Sequence, residues 1–127
     1  MGQVYSNFTH VNYETLQSKI GTSIILLNTL STDDQKYLIK GTINAVYEIG
    51  FMNDQLKKNK HIEIIIYGKD HYDTSVIKKY NQLKKLGFNN VSIYFGGLFE
   101  WALLQEIYGS NFPTEGSISD PLDVYQK

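Results

Sequence analysis

Six consecutive residues, Gly68-Lys69-Asp70-His71-Tyr72-Asp73, gather an amine, an imidazole, a phenol and two carboxylates. An imidazole at His71 oriented by Asp70 or Asp73 is the arrangement of a general base, which must lie within reach of the proton it removes. The loop offers that base no nucleophile to activate, and Tyr72 and Thr74 read equally well as plain surface. The chain has no cysteine, which excludes disulfides, thiolate metal sites and every cysteine-nucleophile mechanism. All twelve basic residues are lysine, so bidentate arginine clamps on phosphate or carboxylate are absent. His10, His61 and His71 share no H-x-x-x-H spacing, and a metal centre needs three or four convergent ligands. The residues therefore predict no metal, no cofactor and no catalytic group.

A second chemical signal stands at the N-terminus. Met1-Gly2-Gln3-Val4-Tyr5-Ser6 fits M-G-x-x-x-[S/T], the pattern for N-myristoylation of Gly2 once Met1 is removed. A single acyl chain binds membranes only reversibly. The first eighteen residues hold no Lys or Arg to strengthen that contact. The expectation is transient membrane contact by an otherwise cytoplasmic, peripheral protein.

The elements that position these residues follow from length and pattern. A chain of 127 residues with 42% hydrophobic and 20% charged residues is one globular domain. A net charge of −1 supplies no basic field for nucleic acid. No apolar run approaches the roughly 20 residues of a membrane helix. Asn12 suits an N-cap, with Val11 and Leu16 placed as a hydrophobic staple. Ser23–Asn28, Thr42–Val46, Ile62–Tyr67 and Val91–Tyr94 read as strands. Tyr47–Asn59 reads as an irregular helix weakened by Gly50. Asp73 to Leu86 reads as a helix capped by Asp73 and ended by Gly87. Leu98 to Tyr108 is apolar on most sides and is predicted to be largely buried. Tyr94, Phe95, Phe99, Trp101 and Tyr108 read as core aromatics. Strands alternating with helices predict an α/β domain.

Several separated segments resemble a known family. Tyr67, then Leu86-Gly87-Phe88-Asn89-Asn90-Val91, then Gly96-Gly97-Leu98-Phe99-Glu100-Trp101 match in order and spacing the C-terminal half of a rhodanese domain. Upstream, Leu26-Leu27-Asn28-Thr29-Leu30 and Ile39-Lys40-Gly41-Thr42-Ile43-Asn44 are similar to that family's earlier segments. The resemblance spans 12–109, leaving an N-terminal segment 1–11 and a C-terminal tail 110–127. It implies a rhodanese-like three-layer α/β/α domain with a mostly parallel five-stranded sheet.

The resemblance also implies what is missing. Active rhodaneses carry a cysteine as the first loop residue, its persulfide cradled by backbone N–H groups ahead of a helix N-terminus. That position is Gly68 here. The family's arginine near the end of the loop falls on Asp73, and Asn28 and Leu30 replace an upstream Asp and Arg. The resemblance implies an inactive homologue, neither a thiosulfate sulfurtransferase nor a cysteine phosphatase. The leading reading is a protein-binding or regulatory module that uses the vestigial loop Gly68, Lys69, Asp70, His71, Tyr72 and Asp73 toward an unidentified protein partner. The alternative is an enzyme of different chemistry using His71 with Asp70 or Asp73 on a small substrate. A structural subunit of a larger assembly is the third reading, and the sequence sets no oligomeric state.

Overall fold

A computed structural model describes residues 8–115. In chain order the elements are α1 (Tyr13–Lys19), β1 (Ile25–Asn28), β2 (Leu38–Ile39), α2 (Ala45–Lys58), β3 (Ile64–Tyr67), α3 (Ser75–Leu86), β4 (Val91–Tyr94), α4 (Gly97–Tyr108) and β5 (Thr114–Glu115). Gly2, and the tail acids Asp120 and Asp123, lie outside the described residues.

The apolar runs in the sequence become the central sheet. β1, β3 and β4 are parallel, in the order β1-β3-β4. Every residue in these three strands is buried, as expected of a sheet covered on both faces. Alternation along the strands divides the core. Ile25, Leu27, Ile64, Ile66, Val91 and Ile93 pack with Met52 of α2 and Val76, Tyr80 and Leu83 of α3. Leu26, Ile65, Tyr67 and Tyr94 pack on the other face with Leu16 of α1 and Trp101 of α4. The result is three layers with helices outside, and each large side chain so buried contributes about 1.5–3 kcal/mol.

The expected five-stranded sheet is only three strands wide. At each outer edge a neighbouring segment makes one parallel bridge and no more, His10 to Ile93 and Thr42 to Leu26. Both segments turn into helices two residues later. Asn12 accepts from Thr15 N–H at 2.9 Å and Asn44 from Val46 N–H at 3.0 Å. These caps end pairing before it can extend. Thr42–Val46 is accordingly the approach to α2, not a strand. Leu38 and Ile39 pair antiparallel with β5 in a separate two-stranded unit.

Other boundaries shift by smaller amounts. α2 is continuous through Gly50, which faces open space. α3 starts at Ser75 and ends at Gly87, whose φ of 115° favours glycine. α4 is a larger departure, because only Gly97 and Trp101 in it are buried. Phe99, Leu103 and Ile107 stand 60%, 48% and 69% exposed. A helix lying on a sheet covers one stripe, and these three occupy the opposite one. Of the aromatic series, Tyr94, Phe95 and Trp101 are core, whereas Phe99 and Tyr108 face outward.

The described parts of the flanking segments, 8–11 and 110–115, are joined to the body. Val11 N–H donates to Ile93 at 3.0 Å, and Ile93 N–H to Thr9 at 3.0 Å. Phe112 is buried with its ring centroid 5.0 Å from that of Trp101.

Candidate functional site

The loop Gly68–Asp73 leaves the C-terminal end of β3, the end where open parallel sheets place ligands. Thr29 and Leu30 leave β1 beside it. Asn28 and Gln35, both buried, fix that neighbour by exchanging amide hydrogen bonds of 3.1 and 2.7 Å. Asn28 also accepts from Leu30 N–H and Gln35 from Ala45 N–H, each at 3.0 Å. Tyr67, fully buried, places its hydroxyl 2.8 Å from Thr42 Oγ1 and accepts from Ile39 N–H at 3.1 Å. Burial pushes that phenol up to about 12, with the Glu115 carboxylate adding to the rise against the lowering hydrogen bonds.

The loop backbone is seated directly on α4. Leu98 and Phe99 N–H donate to the Gly68 and Lys69 carbonyls at 2.9 Å each. Gly97 makes this approach feasible, since a Cβ there would lie 2.8 Å from both Asp70 N and Gly68 O, and its φ is +70°. The loop thus uses the first free amides of the helix itself.

Two of the loop's own amides, those of Lys69 and Tyr72, are occupied by Asp73 and Asp70. Asp73 Oδ2 accepts from Lys69 N–H at 2.8 Å, and Oδ1 from Ser75 N–H at 3.0 Å. The Ser75 hydroxyl lies 2.6 Å from Asp73 Oδ1 and 2.7 Å from Thr29 Oγ1. Asp70 Oδ1 accepts from Tyr72 N–H at 3.0 Å, an Asx turn. Burial works against the charge on Asp73. The hydrogen bonds from Lys69 and Ser75, helped by the Lys69 ammonium, outweigh it and hold the carboxyl below the usual carboxylate range. A Cβ built on Gly68 would stand 2.6 Å from Asp73 Oδ2 and 2.9 Å from its Cγ. The carboxylate therefore fills the space that a side chain at position 68 needs.

This arrangement places each predicted residue. Asp73 stands one residue before the expected cap position, which Thr74 occupies without a side-chain bond; from there it bonds the first amide of α3, that of Ser75, and closes the loop through Lys69. Both of its oxygens are engaged there, so a His71-based reaction would fall to Asp70 for its orienting acid. The His71 ring stands edge-on to Tyr72, centroids 5.2 Å apart. His10 lies near Phe8 at the sheet edge and His61 bonds Asn89, both away from the loop. Among the described residues no three His, Asp or Glu side chains converge as metal ligands. Nor is any helix among them long and apolar enough to cross a membrane.

Sequence reasoning did not single out Thr29 and Ser75, although the Asp73-Thr74-Ser75 pattern signals an Asx turn. It also did not single out the outer stripe of α4. Tyr72, Phe99, Leu103, Asp70, His71 and Gly96 line a groove of about 440 Å³ between the loop and α4. A larger groove of about 750 Å³ runs between α2 and α3.

Comparison with known proteins agrees with this architecture. Among solved structures, the Alr3790 protein from Anabaena sp. superposes with a TM-score of 0.65 at 23% identity, over 85% of this chain and 81% of that one. A full-length protein from Lactobacillus plantarum gives 0.66 at 16% identity, over 90% of this chain and 92% of that one. EanB in complex with hercynine gives 0.61 at 19% identity, over 85% of this chain but 27% of EanB. At these identities the likeness is one of fold. No curated protein matches the sequence. The family model described as "Rhodanese-like domain" matches residues 13–104. With the motifs around Tyr67, Gly87 and Trp101 in their places on the sheet, the chain belongs to the rhodanese-like domain family.

Proposed function

We propose that this is a non-catalytic rhodanese-like module that binds a protein partner through the face formed by the Gly68–Asp73 loop and α4. One observation carries the reading: the Asp73 carboxylate fills the space beside Gly68 and occupies the amides of Lys69 and Ser75. With no thiol in the chain to carry a persulfide, the loop has exchanged a reactive group for an internal brace. What remains outside is a contact surface. Tyr72, 77% exposed at the loop tip, stands over a groove shared with Phe99 and Leu103. Acylation of Gly2 would add reversible membrane contact, which the intact mass of protein from its host cells reads directly.

The test is differential capture. The wild-type chain and a Tyr72→Ala/Asp70→Lys variant are immobilised, and host proteins retained by each are quantified by mass spectrometry. A set of proteins held by the wild type and lost by the variant is the expected result. Identical capture by the two refutes the loop as a partner surface. Asp73 is left unchanged because its carboxylate braces the loop.

A further inference from the structure

The first eighteen residues hold no Lys or Arg, but the fold gathers lysines at the place from which the N-terminal segment departs. α2 and α3 each return the chain to the start of the next parallel strand, β3 and β4. Both helices therefore finish at the N-terminal end of the sheet. Lys57 and Lys58 stand in the last turn of α2, and Lys84 and Lys85 in the last turn of α3. Lys60 joins the two ends. Its carbonyl accepts from Asn89 N–H at 3.3 Å, and a Cβ built on Gly87 would stand 3.7 Å from its Cδ. All five lysines are exposed. The acids of 45–63 are Glu48, Asp54 and Glu63, and 75–90 has none. Glu48 is paired with Lys79 and Glu63 with Lys19, which leaves Asp54 against the five. Each helix C-terminus carries about half a negative charge, so the two together offset a single lysine. This end of the domain is positive although the chain as a whole stands at −1.

The N-terminal segment leaves at the same end. His10 bridges Ile93 in parallel, so the chain before it points toward the start of β4. Phe8 packs edge-on against Tyr80 of α3, ring centroids 5.3 Å apart, and Thr9 N–H reaches the Tyr80 hydroxyl at 3.4 Å. The Lys84 ammonium stands 5.7 Å from the centroid of that same ring. Gly2 comes six residues before Phe8, a reach of at most about 22 Å. An acyl group on Gly2 would thus be tethered beside the lysines, by a segment without acids.

We infer that the end of the domain formed by Lys57, Lys58, Lys60, Lys84 and Lys85 docks on an anionic lipid bilayer, with the acyl chain of Gly2 entering the same membrane. The acyl half rests on the reading of Gly2 as an acylation site, and the lysine half does not. One acyl chain binds only reversibly, and stable attachment takes a second signal such as a basic patch. Each lysine brought to an anionic leaflet is worth roughly fivefold in affinity, an effect that fades within a Debye length. Docked in this way, the domain turns the C-terminal ends of its strands away from the membrane. The Gly68–Asp73 loop then faces outward, open to a partner.

Vesicle co-sedimentation of the full chain tests this. The chain is produced with and without an N-myristoyltransferase, and the vesicles are phosphatidylcholine with or without phosphatidylserine. Two pairs at exposed positions are compared, both checked for wild-type circular dichroism. Lys57→Gln/Lys85→Gln lies at the basic end, whereas Lys36→Gln/Lys78→Gln lies after β1 and in the first turn of α3, at the other end. Phosphatidylserine is expected to raise the affinity of the acylated and the unacylated chain, and high salt to remove that gain. The first pair should lose about 25-fold in affinity for anionic vesicles and nothing for neutral ones, and the second pair should match the wild type. Equal binding to both kinds of vesicle overturns the docking surface and, in the acylated chain, leaves acylation standing. An equal loss in the two pairs also overturns it, as does retention on heparin with none on vesicles. A chain that accepts no acyl group, yet is held on anionic vesicles through Lys57 and Lys85, rejects the acyl half and upholds the docking surface. Tyr72-dependent capture depends on other residues and decides the loop reading separately.

Discussion

Replacing Gly68 by cysteine tests the brace most directly. Gly68 is not among the glycines with positive φ, so the backbone itself accepts a side chain. The obstacle is Asp73, whose Oδ2 lies 2.6 Å from the new Cβ. Carbon and oxygen do not approach so closely, and the carboxylate must swing away. It then gives up the Lys69 N–H, Ser75 N–H and Ser75 hydroxyl bonds of 2.8, 3.0 and 2.6 Å. A shielded charge-assisted hydrogen bond contributes about 1.5–3 kcal/mol, and solvent at this half-open loop cuts each to about 0.5–1 kcal/mol. Three such bonds come to roughly 1.5–3 kcal/mol, against a return of about 0.5–1 kcal/mol from the lower entropy of the unfolded chain. Gly68→Cys should thus cost about 1–2 kcal/mol, or about 4–8 °C in Tm for a chain of this size. Asp73→Ala loses the same bonds without the collision with the carboxylate, so adding Gly68→Cys to it should keep the entropic return and stabilise by about 0.5–1 kcal/mol. Thermal melts of the two single variants and the double variant give the coupling, expected at about 1.5–3 kcal/mol, the full worth of the lost bonds. Additivity within about 0.5 kcal/mol, or a Gly68→Cys variant as stable as the wild type, would refute the reasoning.

Two further outcomes follow from titrating groups. The Asp73 carboxyl is held below its ordinary 3.8 in the fold, so its contribution is complete above that value and is lost as pH falls through the lowered pKa. Asp73→Asn should flatten the acid end of a stability-versus-pH curve measured by urea unfolding, and an unchanged acid limb would contradict this. Tyr67 is raised from 10.0 to about 12, so its contribution is complete below 10 and is lost as pH climbs through 12. Tyr67→Phe should cost about 1–3 kcal/mol near neutrality by leaving the Ile39 N–H unpaired, and should make the alkaline fall shallower. A neutral effect in the same unfolding experiment would mean that the buried hydroxyl does not hold β2 in place.

The parts of the fold legible in the sequence are those decided by local chemistry. Ile64–Tyr67 is apolar on both sides of the backbone, and only a doubly covered strand satisfies that. Asn12 and Gly87 mark helix ends because a cap depends on its nearest neighbours. Thr42–Val46 misleads because its β-branched residues suggest a strand, whereas the Asn44 side chain fixes the start of α2. α4 misleads because composition reports how apolar a helix is, not how much of it the sheet can reach. Trp101 meets the sheet and Leu103 cannot. In the site, the change to Gly68 is visible in the sequence. That Asp73 stands against it is not, since the chain reversal through Asp70 decides which two residues meet.

The β2–β5 pair and the edge bridge at His10 have a consequence for how the chain assembles. Thr9–Val11 joins β4, and Leu38–Ile39 waits for Thr114–Glu115. Each early segment finds its partner only when a strand some 75–83 residues later in the sequence has been synthesised. On a ribosome, β1 and β3 can meet early, Thr9–Val11 waits for β4, and the clasp on β2 comes last. Such non-local closures slow folding, and until they form, Thr9–Val11 and β2 present unpaired backbone to other chains. The nascent domain thus keeps β2 open to other chains until Thr114–Glu115 is made.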